Sequence, residues 1–353
     1  MTDRVVIDDG HTATKVVSRL SGRIDQLVFP SKVVLGTADV GAPDAFVYHV
    51  DRDADPRPNQ VHTLYGRGHP ITVDNRHDGF PTSPANRVLV HHALLEVGAE
   101  SDVSITTTLP LDDYYRGRGE IDDALIEAKR RNIASPCFRR HDVTRDGVRP
   151  PYRITAHDVR PEGAYALIDV ATGWDQDAGA IARYLAETFA ETPLFAIIDI
   201  GGRTTDLTIA RWNLDRSHFT VDTRRSRTIR MGVMDAADRV SDEIAYRYRT
   251  RDTGDSLAIL ESRSVTFGGA RHDVGEVVDQ EVEFVQDALL QRIAPALNDH
   301  SQFARMIFCG GGAALFPAIG RAYPPEIVTI PDDPQFSNAR GIMKYLMGSE
   351  ADG

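Results

Sequence analysis

Hydrophobic and polar positions alternate along this chain in two ways. Short apolar runs bounded by Gly, Pro or Asp predict strands, and apolar residues at three- and four-residue spacing predict helices. Arg4 to Asp8, Val16–Val17 and Ile24–Phe29, folded about Ser21-Gly22, predict an opening β-meander. Gly36 to about Thr72 holds Pro, Asp and His without a sustained period and reads as an irregular excursion or small subdomain. Pro84 to Gly98 is helical in pattern, with Gly98 suited to a C-cap. Val103 to Leu109 then predicts a strand that stops at Pro110. An amphipathic helix over Ile121–Asn132, a strand over Tyr152–Val159 and a helix over Ala178–Thr192 follow. Leu194 to Ile200 is the most apolar strand, with Leu207–Trp212 as its hairpin partner. A charged strand region spans Phe219–Ile229, a helix Val233–Tyr248, and a polar segment with short apolar pieces runs from about Thr250 to Gly269.

The longest periodic run is Val274–Leu297, where Val274, Val277, Val278, Val282, Val285, Leu289 and Ile293 line one stripe. Asp273 and Glu276 can cap its start. The buried-looking strand Arg305–Cys309 leads into Gly310-Gly311-Gly312 at what reads as a helix N-terminus, then the strand Ile327–Ile330 and a last helix around Ala339–Met347. Strands and helices mix throughout, which makes the class α/β.

Length and charge narrow the picture. A chain of 353 residues is expected to form about two domains. Its net charge of −12 argues against bulk binding to a phosphate backbone. No apolar run approaches the ~18 residues of a membrane helix, and Met1-Thr2-Asp3-Arg4 does not read as a signal peptide. Cys137 and Cys309 stand apart from each other and from any CxxC or His cluster, so a reducing cytoplasm is the expected setting. Lysine occurs four times only, as Lys15, Lys32, Lys129 and Lys344, against a background of arginine.

The chemistry lies in an internal match. Ile7-Asp8-Asp9-Gly10 reaches Lys15 seven residues after Asp8, and Ile198-Asp199-Ile200-Gly201 reaches Asp206 at the same offset from Asp199. Each is a strand, an Asp-x-Gly, a Thr pair (Thr12 and Thr14; Thr204 and Thr205) and a second strand. A tight Gly hairpin turns backbone N–H groups inward as a nest for phosphate oxygens. The Asp at the strand end suits a magnesium ion that keeps its waters. Lys15 is placed to meet phosphate as a point charge. One such loop is an ordinary turn; two of matched spacing, joined by the triplet in Phe308-Cys309-Gly310-Gly311-Gly312-Ala313, are a nucleotide-site pattern.

As a trio, these loops resemble the actin-like ATPase superfamily. Ile7-Asp8-Asp9-Gly10-His11-Thr12-Ala13-Thr14-Lys15, Val90-His91-His92-Ala93-Leu94-Leu95 and Thr108-Leu109-Pro110-Leu111-Asp112-Asp113-Tyr114-Tyr115 are similar to its ParM/StbA plasmid-segregation branch. The resemblance covers nearly the whole chain and implies two related RNase H-like domains with the nucleotide in the cleft between them. Domain I would be 1–192 plus 336–353 with a small subdomain at about 36–75, and domain II 193–335 with one at about 220–272. It departs from the branch at His11, where a small hydroxyl residue is usual, and at Arg203 inside loop two.

The resemblance also implies roles. Glu162, after Pro161, would orient the attacking water, with Asp169 as a competing candidate. Asp8 and Asp199 would hold hydrated Mg2+, and Lys15 the β/γ oxygens. Asp9, Gly10, His11, Thr12, Gly201, Gly202 and Thr204 would form the cradle; Gly310, Gly311, Gly312 and Ala313 would face the nucleoside. Asp235 and Arg239 fall where the family contacts ribose and base, but read equally well as an exposed charged helix face. Asp206 binds either its own loop or the ligand. His91, His92, Tyr114 and Tyr115 read as packing residues.

The implied function is a filament-forming ATPase, gated by ATP or GTP with Mg2+, that segregates plasmids through an adaptor on centromere-like DNA. Other readings are a sugar or acetate kinase, a polyphosphatase, a heat-shock-type chaperone, for which the length leaves no peptide-binding domain, and a nucleotide-dependent scaffold without turnover.

Overall fold

In the computed structural model the opening apolar runs form the expected meander: β1 (Arg4–Asp9), β2 (Ala13–Leu20) and β3 (Arg23–Pro30), all antiparallel. The β2–β3 turn is tight because Ser21 and Gly22 both take positive φ, 50° and 82°. The structure describes residues 3–36, 45–50, 60–66, 79–117, 119–140, 150–174, 194–213, 218–250, 253–297 and 299–351. The expected helix over Ala178–Thr192 lies outside them.

The chain divides into two compact units, Met1–Pro161 and Glu162–Gly353. In the first, the chain runs on through β4 (Lys32–Leu35), β5 (Ala45–Val50) and β6 (Gln60–Tyr65), which leave the meander, to β7 (Asp102–Leu109). Beyond it come the two-residue ribbon β8 (Tyr115–Arg116) and β9 (Glu120–Ile121), then β10 (Cys137–Arg139) and β11 (Arg153–Pro161). The main sheet has the order β3-β2-β1-β7-β11, with β7 parallel to β1 and β11 parallel to β7. A second sheet, β10-β5-β6-β4, corrects the reading of residues 36–72 as irregular. Most of β5 and nearly all of β6 are buried or half-buried on both faces, so neither shows the two-residue alternation that identifies a strand.

Helix α1 (Pro84–Glu96) is capped by Ser83, whose hydroxyl accepts the Asn86 N–H at 3.2 Å, and it ends before Gly98 at φ 73°. It packs Val90, Ala93 and Leu94 on Val5, Ile7 and Val16, and Val88 and Leu89 under the second sheet with Phe80. After α2 (Leu111–Tyr114), α3 spans Asp123–Ala134. It starts two residues later than its apolar pattern because the Asp122 carboxylate accepts the Leu125 N–H at 2.9 Å and so becomes the N-cap, leaving Ile121 to pair with Tyr115.

The second unit opens with α4 (Ala166–Ala171). Its sheet contains β12 (Leu194–Ile200), β13 (Thr205–Asn213), β14 (His218–Val221) and β15 (Arg227–Ile229). Next come α5 (Val233–Tyr248), α6 (Ser256–Ser262), the hairpin β16 (Ser264–Phe267) and β17 (Ala270–Asp273), and α7 (Gly275–Leu297). The chain ends with β18 (Phe303–Cys309), α8 (Pro317–Arg321), β19 (Val328–Thr329) and α9 (Ser337–Ala351). Strand order is β14-β13-β12-β18-β19, with β15 also on β13 and β18 parallel to β12. Each unit therefore repeats one plan: an antiparallel meander with parallel strands added beside its first strand. The α7 stripe packs as its periodicity predicts, with Val277, Val278, Val285, Leu289 and Ile293 against Val240 and Ile244 of α5. Helices α4 and α9, placed together in domain I by the sequence division, pack on each other within the second unit.

Candidate functional site

The two Asp-x-Gly loops are hairpins of one register. Asp8 lies opposite Lys15 across β1–β2, and Asp199 lies opposite Asp206 across β12–β13. Both leading aspartates are buried. In loop one the Lys15 ammonium stands 3.4 Å from Asp8 Oδ2, and the Thr108 hydroxyl 3.4 Å from Asp8 Oδ1. A Cβ on Gly10 would come within 3.0 Å of the Ala13 carbonyl and 3.1 Å of Lys15 Nζ, so a larger residue there would crowd the turn and push the lysine aside. The Ser31 hydroxyl donates to the Gly10 carbonyl at 2.7 Å and the Ser31 N–H to the Thr12 carbonyl at 2.9 Å, which fixes the loop. His11 rests its ring on Phe80 with centroids 4.7 Å apart.

Asp9, one residue on, faces the core. Its carboxylate pairs with Lys129 Nζ at 2.7 Å and accepts from the Asn86 amide and the Thr108 N–H. Lys129 also donates to the Thr108 carbonyl. Asp9 thus anchors the end of β1 to α1, α3 and β7.

In loop two the Gly201 N–H donates to the Thr204 carbonyl at 2.8 Å, closing the turn. The carbonyls of Gly201 and Gly202 accept from Val233 and Met234 N–H groups, so α5 starts on this loop. Asp206 points back at its own unit, accepting from the Thr228 hydroxyl with Thr204 Oγ1 at 3.5 Å. Asp235 closes the α5 start by accepting the Gly232 N–H at 2.8 Å. Arg239 pairs with Glu281 at 2.5 Å and lies over the Phe284 ring at 3.8 Å.

The glycine triplet packs directly on loop two. Gly310 has φ 82°, and a Cβ there would fall 2.2 Å from Asp199 Oδ1; one on Gly312 would fall 2.4 Å from Ile200 Cγ2. Gly311 faces open space and Ala313 is buried. The expected helix N-terminus is corrected: residues 310–315 form turns, with Ala313 N–H donating to the Gly310 carbonyl, and α8 starts only at Pro317. Pro317 takes the first helical position, where its missing N–H costs no helix bond, and Phe316 before it, at φ −113° and ψ 59°, lies outside the helical region.

Glu162 follows the last residue of β11 and is half-buried. The competing Asp169 is a buried anchor: Arg340 reaches it through Nε at 3.0 Å and Nη2 at 2.8 Å, and Lys344 Nζ at 2.9 Å. With its oxygens held by these donors, it is poorly placed to orient a water. His91 and His92 are packing residues. Tyr152 Oη lies 2.7 Å from His91 Nδ1, whose Nε2 donates to the Ile133 carbonyl at 3.0 Å; Tyr48 Oη lies 2.7 Å from His92 Nδ1. Burial lowers His91 to about 4, opposed by its bond to Ile133, and lowers His92 to about 3 with help from Arg139. Tyr114 is buried against Tyr115.

Sequence reasoning passed over Asn86, Lys129, Asn338, Arg340 and Lys344. The signal available was the scarcity of lysine: Lys32, Lys129 and Lys344 are buried, and Lys15 keeps only 12% of its side chain exposed. Among the described residues no three His, Cys, Asp or Glu side chains converge as a metal cage, and no helix is long and apolar enough to cross a membrane.

Repeated meander sheets with matched Asp-x-Gly hairpins define an actin-like protein. Residues 197–319 match the family model described as archaeal actin homologue MreB-like, C-terminal, and residues 3–172 match that described as plasmid segregation protein ParM, N-terminal. The chain has the actin-like fold, with a first part that matches the ParM type and a later part that matches the archaeal MreB-like type. Its fold is similar to a 15-stranded ParM filament from Clostridium botulinum, with TM-score 0.72 and 16% identity over 99% of each chain. It is also similar to the archaeal actin homologue Ta0583 in complex with ADP, with TM-score 0.67 and 22% identity over 99% of this chain and 100% of that one. The apo psk41 ParM protein aligns at TM-score 0.59 and 16% identity over 100% and 99%. No curated protein sequence matches the chain.

Proposed function

We propose that this chain is a nucleoside triphosphatase that polymerises with ATP or GTP and Mg2+ and segregates plasmid DNA through an adaptor bound to centromere-like DNA. The observation that supports it best is the shared register of the two hairpins, each ending a buried strand in an Asp beside a glycine turn. Net charge −12 fits a chain that reaches DNA through a partner. The neighbours named as filaments support self-assembly, and the neighbour named as an ADP complex supports nucleotide binding.

The donor set fits a magnesium ion held through its waters, because single buried carboxylates, Asp8 and Asp199, stand at the strand ends with no cage of direct ligands among the described residues. Bound there with the nucleotide, the ion would neutralise charge on the phosphate oxygens. Lys15 adds a compact cation to loop one, and its pairing with Asp8 keeps it there when no phosphate competes. Backbone N–H groups of Gly10, His11, Thr12, Gly202 and Thr204 cradle the phosphates, while Gly201 shapes the turn with its own N–H on the Thr204 carbonyl; His11 contributes through its backbone while its ring stays on Phe80. Asp9 acts behind the cradle rather than in it. Gly310 and Gly312 press the nucleoside loop onto loop two, with Gly311 and Ala313 completing it. Asp235 and Arg239, both engaged within α5 and α7, are proposed to touch ribose or base only at the edge.

Hydrolysis is then in-line attack by a water that Glu162 orients, with positioning and electrostatics supplying most of the rate. Glu162→Ala should lower phosphate release by ~10²–10⁴-fold, while affinity for a fluorescent nucleotide stays within a few-fold. Unchanged turnover removes this role from Glu162. A wild type that releases no phosphate from any nucleoside triphosphate removes the hydrolase reading itself.

A further inference from the structure

One side chain outside the proposed chemistry touches two parts of it. Asn338, the second residue of α9, is 4% exposed. Its carboxamide oxygen accepts the N–H of Gly163 at 2.9 Å, and its nitrogen donates to Asp199 Oδ2 at 2.6 Å. The amide has one orientation available, since a backbone N–H only donates and a carboxylate only accepts. Gly163 directly follows Glu162.

The other parts of this arrangement are held as firmly. Gly163 takes φ 87°, and a Cβ there would lie 2.4 Å from Thr208 Oγ1, so the turn after Glu162 is pressed against β13. Helix α9 is fixed to α4 by the Asp169 bonds to Arg340 and Lys344, and by Gly341, where a Cβ would lie 1.9 Å from the Tyr165 carbonyl oxygen. Asn338, Gly341 and Lys344 recur at three-residue spacing, on one side of the helix. The carboxamide is therefore delivered by a rigid element, and neither of its partners can drift without losing a buried hydrogen bond.

We propose that Asn338 is a positioning residue for hydrolysis: it ties the Glu162 turn to Asp199, so that the water-orienting and the metal-holding carboxylates keep one fixed relation. The proposal rests on the reading that Glu162 and Asp199 have those roles. No other side chain of similar size offers both an acceptor and a neutral donor in this geometry. Alanine loses both bonds. Aspartate keeps the size and the acceptor for Gly163 but sets a second carboxylate against Asp199.

The test is single-turnover phosphate release in the full chain, with Asn338→Ala and Asn338→Asp, at a temperature where near-UV circular dichroism shows each variant folded. Nucleotide affinity is measured separately with a fluorescent diphosphate and Mg2+. A misplacement of about 1 Å predicts loss of about 10²-fold in the chemical step, with affinity within about threefold of wild type, the split expected of a group that acts in the transition state. If Asn338→Ala does not fold, Asn338→Asp carries the same expectation. A chemical step within about twofold of wild type in a folded variant overturns the proposal, as does a loss that falls wholly on affinity. Absence of phosphate release from the wild type is a different result: it overturns the underlying function, and this proposal with it.

Discussion

Lys129→Met tests how loop one is anchored. The Lys129 and Asp9 side chains are 2% and 1% exposed, with Nζ and Oδ2 2.7 Å apart. At an effective dielectric of ~20, two unit charges at that distance attract by about 6 kcal/mol. Asn86 and the Thr108 N–H still hold the carboxylate when the ammonium is removed, and methionine fills most of the space. The expected loss is therefore about 3–5 kcal/mol, the range for stripping one partner from a buried pair. For a unit of this size that lowers the melting temperature by roughly 6–20 °C. Adding Asp9→Asn removes the stranded charge, and the double variant should regain about 2–3 kcal/mol relative to the sum of the single losses. Urea unfolding followed by far-ultraviolet circular dichroism at neutral pH, in low and high salt, measures both values. Screening should matter little for a pair this deep. A single variant within about 1 kcal/mol of wild type, or a double variant that equals the sum of the singles, refutes the reasoning.

Acid should destabilise the first unit before its carboxylates titrate. His91, His92 and His157 are held neutral, at about 4, 3 and 3, chiefly by burial, against 6.5 when unfolded. Because the folded values are depressed, their contribution is intact above pH 6.5 and is lost as pH falls from there towards 4. Each should cost about 2 kcal/mol at pH 5, and equal urea midpoints at pH 7 and pH 5 would contradict this. Gly310→Ala forces a Cβ onto Asp199 at φ 82°. Backbone strain alone should cost about 1–3 kcal/mol, and displacing Asp199 should weaken magnesium-dependent nucleotide binding. Binding by titration that matches wild type would show that the triplet does not need its glycine there.

The hairpin loops were legible because their chemistry is local: strand, Asp, Gly, Thr and strand follow within a few residues, and the register of Asp8 with Lys15 can be read from spacing alone. Helices α5 and α7 were legible for the same reason, since each repeats its apolar stripe over many turns. What could not be read is what the fold brings together from afar. Lys129 sits 120 residues from Asp9, and Asn338 139 residues from Asp199. No local pattern marks either. Strands β5 and β6 were missed because both faces are largely covered, which removes the alternation on which strand assignment depends. Lysine scarcity was the best non-local clue. Three of the four lysines meet a buried carboxylate: Asp8 for Lys15, Asp9 for Lys129 and Asp169 for Lys344.

The central claim is that nucleotide binding drives this chain to assemble. Sedimentation with right-angle light scattering, on purified protein with Mg2+ and ATP, GTP or ADP, tests it most directly. The account predicts pelletable polymer with a triphosphate, delayed disassembly in Glu162→Ala, and little polymer with ADP. Protein that stays in the supernatant with every nucleotide, or phosphate transfer that appears only when a small-molecule acceptor is added, would contradict it.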